Sequence, residues 1–146
     1  TGKIKPGQKY RLPTDAEWSV AVGLEPETGN TPEAKVMGIT GVYPWGNQLP
    51  PPKGAGNYGE SLNMDSHEYT SPVGSFAANA AGLHDLGGNV WEWCEDKWNP
   101  TSTARVLRGA SWSNFSSFFL LSSFRINGTH DIRNSFIGFR CVLVGE

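Results

Sequence analysis

Large apolar and polar side chains alternate in NVWEWCED (Asn89–Asp96), and a period of two places alternate side chains on opposite faces of an extended backbone, which predicts a strand. The apolar-rich runs RVLRGASW (Arg105–Trp112) and IGFRCVLV (Ile137–Val144) read as a second and a third. Loops join the runs in sequence, which predicts an antiparallel sheet. Near the N-terminus, YRLPTDAEWSVAVGL (Tyr10–Leu24) breaks the alternation. Thr14 and Glu17 form a T-x-x-E capping box, in which each side chain can satisfy the other's backbone N–H. A short strand at Tyr10 therefore leads into a helix of two or three turns carrying Trp18, Val20 and Val22, which Gly23 can end. Residues 24–83 have no period, and LPPPKGAGNYG (Leu49–Gly59) cannot be an ordinary helix or inner strand. Loop on the scale of roughly 60 residues implies a function, or a hold other than a core, often a metal. The expected architecture is α+β in a single domain, residues 1–146, with a twisted antiparallel sheet, one or two short helices and long loops.

One stretch fits none of these patterns. SWSNFSSFFLLSSFRINGTHDIRNSF (Ser111–Phe136) is too apolar for a loop and repeats with neither the strand nor the helix period. Residues 113–136 hold five of the seven Phe and six Ser, yet no Lys, Glu, Gln, Met or Trp, although the chain has six Trp. Randomising the adenines of AAC or AAT codons yields Asn, Ser, Phe, Leu, Ile, Tyr, His, Asp, Gly, Thr, Val, Ala, Arg, Pro and Cys. It cannot yield the five missing types. Residues 134–136, Asn-Ser-Phe, look like three such codons. Against this, Phe118, Phe119, Leu120 and Leu121 could be ordinary core, and a window this apolar cannot face water throughout.

Composition narrows the function classes. The length of 146 residues supports one core, and a net charge of -2 gives no electrostatic case for nucleic acid. No apolar run is long enough to insert in a membrane, and the polar start TGKIKPGQKY has no signal-peptide pattern. Cys94 and Cys141 are too few for a disulfide framework or a zinc site. Both sit in apolar runs and read as buried free thiols, with a bridge between them left open. His67, His84 and His130 lack ligand spacing, and no G-x-S-x-G elbow exists. Two glycosylation-type triplets, at Asn114 and Asn127, fall where Asn and Ser are enriched anyway. Arg108, Arg125, Arg133 and Arg140 are expected to order loops through carbonyls and carboxylates.

The phrases RLPTDAEW (Arg11–Trp18), YPWG (Tyr43–Gly46), SPVGSFAANAAGLHDLGGNVWEWCED (Ser71–Asp96), RVLRGASW and IGFRCV occur in this order. Together they resemble the formylglycine-generating enzyme (sulfatase-modifying factor) family, whose domain is a variant of the C-type lectin fold. The likeness covers residues 10–142. It implies copper chemistry through two cysteines five residues apart, at positions that fall here near Asn114 and Phe119. The stretch 113–136 has no cysteine, so no soft Cu(I) site and no nucleophilic sulfur are available there, and no copper is expected. Family members hold their loops with structural calcium. By position, one site would use Asp85, the backbone of Gly88 and Val90, and Glu92. Another would use Asn57, the backbone of Tyr58, Asp65 and the backbone of His67. Oxygen donors of this kind suit calcium.

The codon bias resembles that of variable proteins of diversity-generating retroelements, which commonly use the same scaffold and place the varied repeat before an IGFR-like strand. That resemblance implies a binding face made of Ser113, Asn114, Phe115, Ser117, Phe118, Phe119, Leu121, Ser123, Phe124, Ile126, Asn127, Gly128, Ile132, Asn134, Ser135 and Phe136. Trp112, Arg125, Arg133 and Gly138 would be fixed framework. The expected partner is a varying protein or glycan, on a cell surface. The protein itself is expected to be surface-displayed, secreted or virion-associated rather than cytoplasmic. Two other readings stay open: a divergent copper-independent enzyme of the same family, and a fixed adhesin domain.

Overall fold

Thr14 opens helix α1 (Asp15–Val22) with the expected reciprocal box. Its side chain accepts from the Glu17 N–H, and the Glu17 carboxylate accepts from the Thr14 N–H. Gly23, at φ 86°, ends the helix in the left-handed conformation that glycine adopts without strain. The structure, a computed structural model, describes residues 4–145. The face that α1 buries differs from the one expected: Asp15, Trp18 and Ser19 point inward, while Val20 is exposed.

Before the helix, strand β1 (Lys9–Arg11) pairs antiparallel with β6 (Val142–Val144) in a two-stranded ribbon. A four-stranded sheet follows the order β4 (Arg125–Gly128), β3 (Arg105–Arg108), β2 (Trp91–Lys97), β5 (Ile137–Gly138). The β2–β3 and β3–β4 pairs are antiparallel, but β2 and β5 run parallel, so the sheet is mixed rather than wholly antiparallel. The reason is the long excursion from β4 around to β5, which brings the chain back beside β2 in the same direction. The IGFRCVLV run, expected as one strand, is divided between the two sheets. Residues 24–83 carry only two short 3-10 turns, Glu33–Lys35 and Glu60–Leu62, in line with their lack of period.

Two apolar clusters flank the sheet. One joins Tyr43, Tyr58, Met64, Trp91, Leu107, Leu120, Leu121 and Phe124, and the other joins Trp18, Leu86, Cys94 and Val106. Cys94 is fully buried, and burial pushes its thiol up, away from thiolate chemistry. Cys141 is exposed and free, which corrects the expectation that both thiols are buried. It lies in the short link between β5 and β6, where the alternation is interrupted.

On the Trp18 side of the sheet sits a buried ionic group. Asp15 accepts from Arg108 and, at 2.8 and 3.0 Å, from Nε and Nη2 of Arg125. Arg125 also donates to both oxygens of Glu27. The Arg108 guanidinium lies 4.4 Å from the centre of the Trp18 ring and donates to the Ser122 carbonyl. Burial pushes the Asp15 carboxyl up, but the two guanidiniums more than offset this and hold it below the ordinary range. Glu27 is held low in the same way by Arg125. At the surface, a bidentate pair with Arg11 takes Glu17 from 4.5 to about 2.

Because these carboxyls are more acidic folded than unfolded, their stabilisation is fully present above the ordinary carboxylate range. It is lost as pH falls through the depressed folded values. For Glu17 that window runs from 4.5 down to about 2. The melting temperature is therefore expected to fall on acidification below the ordinary carboxylate range, chiefly through the buried Asp15 and Glu27. Asp15→Asn should flatten the dependence, and an unchanged slope in that variant would contradict the assignment.

Candidate functional site

The backbone of residues 111–136 is fixed at many points. Trp112 N–H donates to the Asn89 carbonyl at 3.0 Å. The Asn114 side-chain oxygen accepts from both the N–H and the hydroxyl of Ser111, each at 2.9 Å, and closes a tight turn. The Asn114 carbonyl accepts from Gly59 N–H at 2.8 Å. Further along, Ser122 N–H donates to the Val42 carbonyl, and the Ser123 hydroxyl donates to the Ile39 carbonyl at 2.6 Å. Arg125 donates to the Ser123 carbonyl at 2.6 Å. The stretch 120–125 is buried throughout.

Burial divides the sixteen expected binding positions. Ser113, Phe115, Ser117, Phe118, Asn127, Ile132, Asn134 and Ser135 are exposed. Asn114, Phe119, Ile126 and Phe136 are half-buried, and the Asn114 side chain is already engaged in its turn. Leu121, Ser123, Phe124 and Gly128 are interior, so the expectation that they face a ligand is corrected. Leu121 and Phe124 belong to the core cluster, and Ser123 anchors the loop to Ile39. Gly128 sits opposite Arg105 in the sheet, where an added Cβ would meet the Trp93 ring at 2.8 Å. The missed signal is strand β4, which sits inside the window and was hidden by the loss of alternation in SSFRING.

The expected framework positions each make specific contacts. Arg125 is 1% exposed and belongs to the ionic group, while Arg133 donates to the His130 and Ile132 carbonyls and shapes its own loop. Gly138 pairs with Glu92, and a Cβ there would meet Val90 at 2.9 Å. Trp112 reaches across to the second arm of the window, where its indole N–H donates to the Ser135 carbonyl at 3.4 Å.

An aromatic series runs from core to solvent. Buried Trp91 lies 6.2 Å from Phe124, which meets Phe119 at 5.2 Å and Phe118 at 5.7 Å. Phe118 is 42% exposed and Phe115 is 62% exposed. Tyr69, which no sequence pattern singled out, places its ring edge-on to Trp112 at 5.1 Å and is 58% exposed. A separate cleft of about 600 Å³, lined by residues such as Val20, Val42, Trp45, Phe76 and Leu83, contains no residue of the window.

The two oxygen-donor sets differ in their readiness for a cation. Around Asp85, the Glu92 carboxylate accepts from Arg140 at 2.6 and 2.7 Å and from the Trp18 indole at 2.9 Å. Arg140 also donates to the His84 and Asp85 carbonyls. The Asp85 carboxylate accepts from Gly74 N–H. A guanidinium already serves the Glu92 carboxylate, so the first set would have to give up that pair to hold a calcium ion. In the second set, the Asn57 side-chain oxygen is buried with no hydrogen-bond partner. Its amide nitrogen donates to the Tyr69 carbonyl at 2.7 Å. Asp65 lies beside it, accepting from the N–H groups of Tyr58 and His67. An orphaned buried acceptor next to a carboxylate fits a hard cation. Among the described residues, no three His, Cys, Asp or Glu side chains converge as a metal cluster, and no helix is long and apolar enough to cross a membrane.

Comparison with known proteins adds the family context. The model of the sulfatase-modifying factor enzyme 1-like domain matches residues 2–144. The formylglycine-generating enzyme of Thermomonospora curvata is 32% identical, over 90% of this chain and 48% of that protein. The "inactive C-alpha-formylglycine-generating enzyme 2" of Mus musculus is 35% identical, over 90% of this chain and 42% of that one. The chain spans about half the length of these relatives. Among solved structures, variable protein 1 of Treponema denticola superposes with a TM-score of 0.60 at 28% identity. That match covers 94% of this chain and 48% of the other.

Proposed function

The chain belongs to the sulfatase-modifying factor enzyme 1-like family, and from that membership we propose that it is a ligand-binding variable protein rather than an oxidase. One observation carries the reading. Within 113–136, Leu120, Leu121, Phe124 and Arg125 are locked in the interior, while Phe115, Phe118 and Ile132 stand 62%, 42% and 38% exposed. Exposed large apolar side chains on a rigid backbone are suited to a partner. The likeness to a protein named as variable supports this reading, and so does the absence of cysteine from the window. A site on a cell or virion surface suits such a role.

Two experiments test the reading. A library varied at the eight exposed positions is expected to keep melting temperatures near the parent's in most clones, because those side chains add little to the core. Widespread unfolding would overturn it. A cysteine-containing peptide incubated with the copper-supplied protein is expected to keep its thiol, and formation of an aldehyde would restore the enzyme reading.

Structural calcium belongs to the same proposal. Asn57, Asp65 and the carbonyls of Tyr58 and His67 would hold it and tie the long 56–72 loop to the core. Added calcium is expected to raise the melting temperature by several degrees, about 2–8 °C for a gain near 1 kcal/mol. Asp65→Asn should abolish the rise, and no rise in the unaltered protein would count against the site.

A further inference from the structure

We infer that the oxygen donors at Asn57 and Asp65 are wired to the first arm of the window, residues 112–115, so that a calcium ion held there controls how firmly this part of the binding face is ordered. The inference rests on the calcium reading above and adds a regulatory role to it. The wiring starts at Asn57, whose buried side-chain oxygen has no partner while its other polar groups are engaged. The Asn57 amide nitrogen donates to the Tyr69 carbonyl, and the Asn57 carbonyl accepts from Asn89 N–H, both at 2.7 Å. The Asn89 carbonyl in turn accepts from Trp112 N–H at 3.0 Å. The Tyr69 ring meets the Trp112 ring edge-on at 5.1 Å. Asn57 therefore reaches Trp112 along two routes, one through Asn89 and one through Tyr69.

A further link leaves from the neighbouring donors. Tyr58 N–H and His67 N–H both donate to the Asp65 carboxylate, at 3.3 and 2.8 Å. Gly59, the next residue after Tyr58, donates to the Asn114 carbonyl at 2.8 Å. The approach is close: a Cβ on Gly59 would meet the Cβ of Phe115 at 3.0 Å and the Asn114 carbonyl oxygen at 3.1 Å. A shift of the backbone at 57–59 thus moves the turn that presents Phe115. Later parts of the window are anchored elsewhere. Ser122 and Ser123 bond to the Val42 and Ile39 carbonyls, and Arg125 bonds to Asp15 and Glu27. None of those partners belongs to the cation set. A buried acceptor without a partner is unfavourable in the closed loop. A hard cation that binds the converged oxygens, and not the opened loop, removes that cost and shifts the first arm toward its ordered arrangement.

Residue-resolved hydrogen exchange on the whole chain tests the wiring, once in about 10 mM calcium, above the range of weak calcium modules, and once after chelation. The amides of Gly59 and Trp112, the donors in the two backbone links, are expected to exchange about tenfold or more slowly in calcium. The amide of Ser122, which bonds to Val42, should slow by much less. Asp65→Asn should remove the difference, with its melting temperature in chelator checking that it is folded. The unaltered protein decides the question by itself if that variant does not fold. Equal slowing of all three amides, together with a calcium-raised melting temperature, would overturn the wiring and leave the calcium site standing. No effect of calcium on the melting temperature or on any of these amides would overturn the site and this inference together. The ligand-binding reading would survive either result, since its own tests use no calcium.

Discussion

Replacing Arg125 with methionine is expected to lower the unfolding free energy by about 3–5 kcal/mol, the usual result of leaving a buried carboxylate without its cation. Arg125 is 1% exposed and satisfies Asp15, Glu27 and the carbonyls of Ser123 and Lys35 at once. With it gone, Arg108 alone must face two buried carboxylates. Lysine should not rescue the loss, because one ammonium cannot span the two carboxylates that the planar fork joins. Urea titration at neutral pH reads the change. A loss below about 1 kcal/mol would mean that the group is solvated and that the window is anchored elsewhere. The prediction matters for the site because Arg125 lies inside the stretch 113–136 and its guanidinium helps to fix the backbone there.

Phe124 and Phe115 should respond very differently to the same truncation. Phe124→Ala is expected to destabilise by about 3–5 kcal/mol, since it opens a cavity between Trp91, Phe119 and Leu121. Phe115→Ala should stay within about 0.5 kcal/mol, since its ring is 62% exposed. If the two losses are similar, the division of the window into anchoring and displaying positions fails. The contrast also bounds diversification: positions 120–125 can vary only at a large cost in stability, while 113, 115, 117 and 118 can vary freely.

Much of the fold is legible in local sequence signals. The Thr14–Glu17 box, Gly23, the loops of 24–83 and the alternation around Trp91 and Val106 each depend on neighbours in the chain. The parallel pairing of Ile137–Gly138 with β2 does not, because it depends on where a long loop delivers the strand. Strand β4 was hidden for a different reason. Its residues, Arg125–Gly128, are chosen for an ion pair and for a close approach to Trp93, not for alternation. The site was legible as a segment but not as a surface: composition marks 113–136, yet only packing separates Phe118 from Phe124. Tyr69 gave no sign at all, since its partner Trp112 lies far along the chain. Both donor sets for a cation were visible, but which one is free depends on Arg140, whose approach to Glu92 no spacing predicts.

On the proposed reading, the exposed side chains of residues 113–136 are varied by design. Sequencing the DNA beside this gene tests it most directly. The account predicts a near-copy of the codons for residues 110–140, with a reverse transcriptase gene nearby. The copy should differ from the gene only where it carries adenine, and its differences should fall mainly at exposed positions such as 113, 115, 118, 132 and 134. Absence of any such copy, or differences spread equally over the codons of Leu120, Phe124 and Arg125, would contradict it.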